Sequence, residues 1–183
     1  NISKTKIEIY ADGADLDDFK ALKKLNYIRG YTTNPSLMRK AGVKNYKSFA
    51  QKVISIVKNK PISFEIFKDT IEEIEDQAKE ISKWGKNVYV KIPVMNTKKI
   101  PNYQLIGKLN KSGVKINVTA IFTINQTKQI MKHIGNKTPI IFSIFCGRIA
   151  DTGVDPVIEI KKHLKIGKKF KNIKFLWASV REP

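Results

Sequence analysis

The sequence is poor in cysteine, arginine and long apolar runs. Its 183 residues hold one cysteine, Cys146, which excludes an intramolecular disulfide. A lone thiol favours a reducing compartment, so a cytoplasmic location is expected. No apolar run approaches the roughly 18 residues that a membrane-spanning helix needs, and no membrane partner is expected. No signal-peptide pattern is visible, and the chain begins at Asn1 rather than Met, so a trimmed N-terminus is expected. Arginine is scarce: only Arg29, Arg39, Arg148 and Arg181 stand among 35 basic residues. Nucleic-acid sites favour clustered arginine, whereas here the lysines run along the whole chain. The net charge of +19 and pI of about 9.9 therefore describe a solvated basic surface, with no nucleic-acid partner expected. That charge should still attract anionic substrates such as sugar phosphates.

What is present is a repeating pattern. A hydrophobic fraction of 42% suffices for the core of one domain. Strand-like runs occur at Ile7 to Asp12, Tyr27 to Thr33, Ile62 to Phe67, Asn87 to Ile92, Lys115 to Phe122, Pro139 to Phe145 and Ile173 to Ser179. Helical spacing separates them. Leu16, Phe19, Leu22 and Leu25 share one face, as do Val53, Ile56 and Val57, and as do Ile71, Ile74, Ala78 and Ile81. Further helices are expected from Asn34-Pro35, over Tyr103 to Asn110, Thr127 to Ile134 and Pro156 to Leu164. One βα unit recurs about every 25 residues, the spacing of a parallel sheet covered by helices. Two architectures fit: a (β/α)8 barrel or an open doubly wound sheet. No G-x-G-x-x-G follows the first strand, so the dinucleotide-binding form of the open sheet lacks support. A barrel needs an eighth strand, and the sequence ends at Pro183.

The chain turns on Asn87-Val88-Tyr89-Val90-Lys91-Ile92-Pro93. A lysine within such an apolar run is unusual, because burying an ammonium is costly. A desolvated lysine, once neutral, is a nucleophile for carbonyl carbon. In isolation Lys91 reads better as an edge lysine that snorkels to water. The other strands change that balance, because polar residues recur at their C-terminal ends. These are Asp12, Thr32-Thr33-Asn34, Glu65, Lys91, Asn117 with Thr119, Ser143 with Arg148, and Ser179 with Arg181. Alone, Asp12 and Asn34 serve equally well as helix caps, and the rest as ordinary strand or surface groups. Together they fall at one topological level, where a barrel places its active site.

Thr32-Thr33-Asn34-Pro35-Ser36-Leu37, Val90-Lys91-Ile92-Pro93, Asn117-Val118-Thr119, Ser143-Ile144-Phe145-Cys146-Gly147-Arg148 and Ala178-Ser179-Val180-Arg181 resemble transaldolases in identity and order. The resemblance covers nearly the whole chain. It implies a (β/α)8 TIM barrel, here one domain over residues 1–183 that lacks its eighth strand and C-terminal helices. The sequence is therefore expected to be cut short of a full barrel, and a homo-oligomer is compatible with the full-length protein. It implies a Schiff-base enzyme without metal or organic cofactor, with sugar phosphates as partners. Such an enzyme converts sedoheptulose 7-phosphate and glyceraldehyde 3-phosphate to erythrose 4-phosphate and fructose 6-phosphate in the pentose phosphate pathway. By resemblance, Lys91 forms the Schiff base, Asp12 is the acid/base, and Glu65 works through a water that Thr119 helps to hold. Asn34, Thr33, Asn117, Ser143 and Phe145 border the dihydroxyacetone portion, and Arg148, Ser179 and Arg181 bind phosphate.

Fructose-6-phosphate aldolases of the same family typically carry glutamine where Glu65 stands and tyrosine where Phe145 stands. Both positions therefore favour transfer over aldol cleavage. Asp12-Gly13-Ala14 replaces the usual D-T-A or D-S-A, and Glu182 replaces the asparagine that commonly follows the last arginine. A basic anion-binding barrel without catalysis is the contrasting reading. It accounts for the charge but not for Lys91, Asp12 and Glu65 together.

Overall fold

In a computed structural model, which describes residues 7–180, seven strands form one parallel sheet in the order β1 to β7. They are β1 (Ile9–Asp12), β2 (Ile28–Thr32), β3 (Ile62–Glu65), β4 (Val88–Pro93), β5 (Ile116–Ile121), β6 (Ile140–Ile144) and β7 (Ile173–Trp177). Helices α1 (Leu16–Lys23), α2 (Pro35–Lys40), α3 (Tyr46–Val57), α4 (Ile71–Ser82), α5 (Tyr103–Lys111), α6 (Ile124–Met131), α7 (Cys146–Ala150) and α8 (Pro156–Gly167) lie between them. Each strand pairs with its sequence neighbour, so every crossover advances the sheet by one strand in the same sense. The sheet curls: Lys174 of β7 reaches Glu8, just before β1, at 2.6 Å. This is a (β/α)8 barrel architecture with seven strands among the described residues, and the open doubly wound alternative is set aside.

Helix starts follow local capping chemistry. Asp15, not Asp12, caps α1, accepting from the Asp17 and Asp18 amides at 2.7 and 3.1 Å. Asn34 caps α2 through the Leu37 amide at 3.0 Å, with Pro35 in the first turn. Asn45 caps α3 and Thr70 caps α4. Thr123 and Gln126 form a capping box that starts α6 at Ile124, earlier than the expected Thr127. Ile71, expected to face inward, is 42% exposed in the first turn of α4, while Ile74, Ala78 and Ile81 are buried. The strand carrying Lys91 includes Pro93 as its last residue rather than ending before it.

The sheet has two distinct faces. Ile62, Phe64, Val88, Val90, Ile92, Ile116, Val118 and Phe142 are buried under the helices. Each such side chain contributes on the order of 1.5–3 kcal/mol by leaving water. Tyr89, Lys91 and Pro93 alternate with them and face the interior of the curl. There the Tyr10 ring lies over Gly30, its partner in β2, where a β-carbon would come within 2.3 Å of the ring.

Gly107 of α5 packs against the turn that follows α6. A β-carbon there would sit 2.4 Å from His133 Cβ and 2.6 Å from the His133 carbonyl oxygen. Backbone cannot yield as a side chain does, so Gly107→Ala should destabilise the fold by about 1–3 kcal/mol. A lowered denaturation midpoint with unchanged slope is expected, and an unaltered midpoint would refute this packing argument.

Candidate active site

Parallel pairing brings the polar strand ends together. Asp12 aligns with Thr32, Thr32 with Ser63, Glu65 with Lys91, Lys91 with Asn117, and Pro93 with Thr119. The inner face of five consecutive strands is therefore polar at their C-terminal ends, which is the end that carries chemistry in barrels.

Lys91 and Glu65 form the centre. Lys91 Nζ lies 3.2 Å from Glu65 Oε2, and their side chains are only 12% and 16% exposed. Lys91 Nζ also donates to the Thr33 carbonyl at 3.3 Å. Burial pushes the Glu65 carboxyl above the ordinary glutamate value; the Lys91 charge partly offsets this, and the Asp12 charge adds to it. Asp12 is thus close enough for its charge to be felt at Glu65. Its Oδ1 accepts from Thr32 Oγ1 at 2.8 Å. Because Asp15 holds the α1 cap, Asp12 is left to the site. Tyr46 fixes the end of β3 by donating from its hydroxyl to the Glu65 carbonyl at 2.7 Å.

A second cluster lies on the inner face beside them. Asn117 Nδ2 donates to Ser63 Oγ at 3.0 Å, and Ser143 Oγ donates to Asn117 Oδ1 at 2.7 Å. All three residues are buried. Thr119 is also buried, and among the described residues its hydroxyl has no hydrogen-bond partner. The β5–β6 register shifts between Val118 and Ile121, where Ala120 takes a left-handed φ of 58°. Such a bulge re-aims side chains at a strand end.

The remaining expected residues are spread around this centre. Thr33 is fully buried, and its carbonyl rather than its side chain meets Lys91. Asn34 uses its side-chain oxygen as the α2 cap. Phe145 opens α7 and packs edge-to-face on Phe122, ring centres 5.6 Å apart. Arg148 is exposed on α7, a helix the sequence did not suggest. Ser179 lies beyond the end of β7, in the left-handed region at φ 59°. The Gly147 amide reaches the Ala178 carbonyl at 3.5 Å, so the Arg148 and Ser179 segments adjoin. Arg181 lies outside the described residues.

Thr32 stands among the polar strand ends of the sequence without an assigned role, and Ser63 was missed as a site residue. The period-2 alternation that puts Glu65 inside also puts Ser63 there. A cavity of about 360 Å³ lies at the opposite end of the sheet, against Tyr89, Ile140, Lys171 and Lys174, away from this polar cluster. Among the described residues, no group of three or more His, Cys, Asp or Glu is placed to hold a metal ion, and no helix is long and apolar enough to cross a membrane.

Comparison with known proteins identifies the family of the chain. Residues 9–183 match the family profile described as Transaldolase/Fructose-6-phosphate aldolase. The chain is 34% identical over 179 residues to a protein named "Probable transaldolase" from Dehalococcoides mccartyi, covering 97% of this chain and 79% of that one. A second protein of that name, from Methanococcus maripaludis, is 34% identical over 178 residues, covering 97% and 78%. A third, from Streptococcus equi subsp. zooepidemicus, is 36% identical over 150 residues, covering 82% of this chain and 65% of its own length.

Proposed function

Since the chain belongs to the transaldolase/fructose-6-phosphate aldolase family, we propose that it contributes the active site of a transaldolase, moving a dihydroxyacetone unit between sugar phosphates through a Schiff base on Lys91. The carrying observation is the buried Lys91–Glu65 pair at 3.2 Å.

The steps follow from these groups. Glu65, held above the ordinary carboxylate range, takes a proton from the Lys91 ammonium beside it. The neutral amine attacks the ketose carbonyl carbon, and loss of water leaves an iminium on Lys91. Asp12 removes the proton of the C4 hydroxyl, the C3–C4 bond breaks, and its electron pair enters the iminium to give an enamine. The aldose phosphate departs. The enamine carbon attacks an incoming aldehyde, and Asp12 returns its proton to the new hydroxyl. Water then releases the product ketose and regenerates Lys91. Thr119, buried and with no hydroxyl partner among the described residues, suits the water that Glu65 uses. Arg148 and Arg181 supply charge-assisted bonds to phosphate.

Transfer rather than release is favoured by Phe145, which packs on Phe122 and carries no hydroxyl to orient a hydrolytic water on the enamine. The test is product analysis with fructose 6-phosphate as donor. Adding erythrose 4-phosphate should yield sedoheptulose 7-phosphate, with little free dihydroxyacetone when the acceptor is omitted. Abundant dihydroxyacetone without acceptor would instead identify an aldolase.

Glu65 also sets a pH dependence. It must be ionised to receive the Lys91 proton, so turnover falls as pH drops through its titration. Because burial raises that titration, the acid limb should lie above the ~4.3 of an exposed glutamate. Glu65→Gln should abolish that limb and lower turnover; a limb that survives would assign it to another group.

A further inference from the structure

We propose that Ser63 is a positioning residue, which with Ser143 holds the Asn117 carboxamide in the orientation that meets substrate. The inference rests on the reading of Asn117 as a substrate ligand. Ser63 stands two residues before Glu65 on the same inner face of β3. Asn117 belongs to β5, so its bond to Ser63 spans β4, the strand that carries Lys91. The bridge thus runs across the inner surface beside the reacting amine.

The bonding capacities define the role. A carboxamide has two N–H donors and an oxygen with two lone pairs. One N–H goes to Ser63 and one lone pair to Ser143, at opposite ends of the group. One donor and one acceptor position remain on a group whose plane is held from both sides. The terminal torsion of asparagine is otherwise broad, so nothing intrinsic fixes that plane. Ser63 is 1% exposed and Asn117 fully buried, so loss of the bond leaves a buried donor unpaired or lets the amide rotate to find another partner. Ser63 itself has no need to touch substrate.

The test follows the Asn117 side-chain amide directly. In ¹⁵N-labelled protein its two N–H signals are identified by their loss in Asn117→Ala. They should exchange with solvent about tenfold faster, or shift, in Ser63→Ala, as a hydrogen bond of ordinary net strength implies. Ser63→Thr, which keeps the hydroxyl, should restore them, whereas Ser63→Val, of the same shape without it, should not. Unchanged Asn117 signals in Ser63→Ala and Ser63→Val overturn the inference.

A kinetic cycle gives the second readout. Ser63→Ala should lower kcat/KM for the ketose phosphate about tenfold in the native background, and less than twofold when Asn117 is already alanine. Equal losses in both backgrounds would show that Ser63 acts independently of Asn117, and would also overturn the inference. If the native protein forms no Schiff base, the reading of the site fails, while the amide signals still decide whether Ser63 holds Asn117.

Discussion

Lys91→Met should abolish turnover while leaving the sheet in place. Removing the group that becomes covalently bound to substrate eliminates the pathway, so a loss on the order of 10³-fold or more is expected. At 1.36 kcal/mol per factor of ten, that corresponds to at least ~4 kcal/mol of barrier. The methionine stem fills the space of the lysine stem on the inner face of β4. Glu65 then loses the cation that offset its burial, and it responds by binding a proton rather than remaining a lone buried charge. Lys91→Arg separates chemistry from electrostatics. Arginine keeps the positive charge beside Glu65 but stays protonated and forms no Schiff base. Both variants should be inactive, with native circular dichroism, and arginine should retain more of the native thermal stability. Residual turnover within tenfold of the native protein in either variant would contradict the assignment.

Asp12→Asn should slow carbon–carbon cleavage by about 10²–10⁴-fold, the usual worth of a positioned acid/base, while Schiff-base formation persists. Thr32 donates to Asp12 Oδ1, an acceptor that asparagine retains, so the side chain keeps its place and loses only its ability to carry the proton. A second consequence follows from the charge. Asp12 is one cause of the raised Glu65 carboxyl, so its removal should lower the Glu65 titration and move the acid limb toward lower pH. Measuring single-turnover cleavage and the pH profile on one variant checks both effects. Cleavage near the native rate would assign proton transfer to another group.

Much of this arrangement was legible in the residues, and the exceptions have physical causes. The βα repeat was visible because buried parallel strands are apolar runs and their helices are periodic. The site was visible because Asp12, Glu65, Lys91, Asn117 and Thr119 interrupt those runs at one level. Helix α7 was not, because the five residues Cys146–Ala150 make too short a segment for periodicity. The early start of α6 was readable in Thr123 and Gln126, three residues apart, a capping signal stronger than the apolar spacing used to place it. That Asp15 rather than Asp12 caps α1 was readable too, because Asp15 directly precedes Leu16, the first residue of the apolar face. Pairings across the fold, such as Thr127 with the buried His163 at 2.8 Å, are tertiary facts with no local signature. Ser63 was overlooked because a serine in a strand is ordinary until its partner is known.

The central claim is that Lys91 binds a ketose phosphate covalently. Borohydride reduction in the presence of fructose 6-phosphate, followed by intact mass and peptide mapping, reads this directly, because hydride converts an iminium to a stable amine. The predicted result is a ketose-derived adduct on the peptide containing Lys91, present in the native protein and in Asp12→Asn, and lost in Lys91→Met. Because family members extend beyond the span of this sequence, the measurement is made on both this chain and the longest form that carries it. No adduct in the longer form, or an adduct that persists in Lys91→Met, would contradict the account.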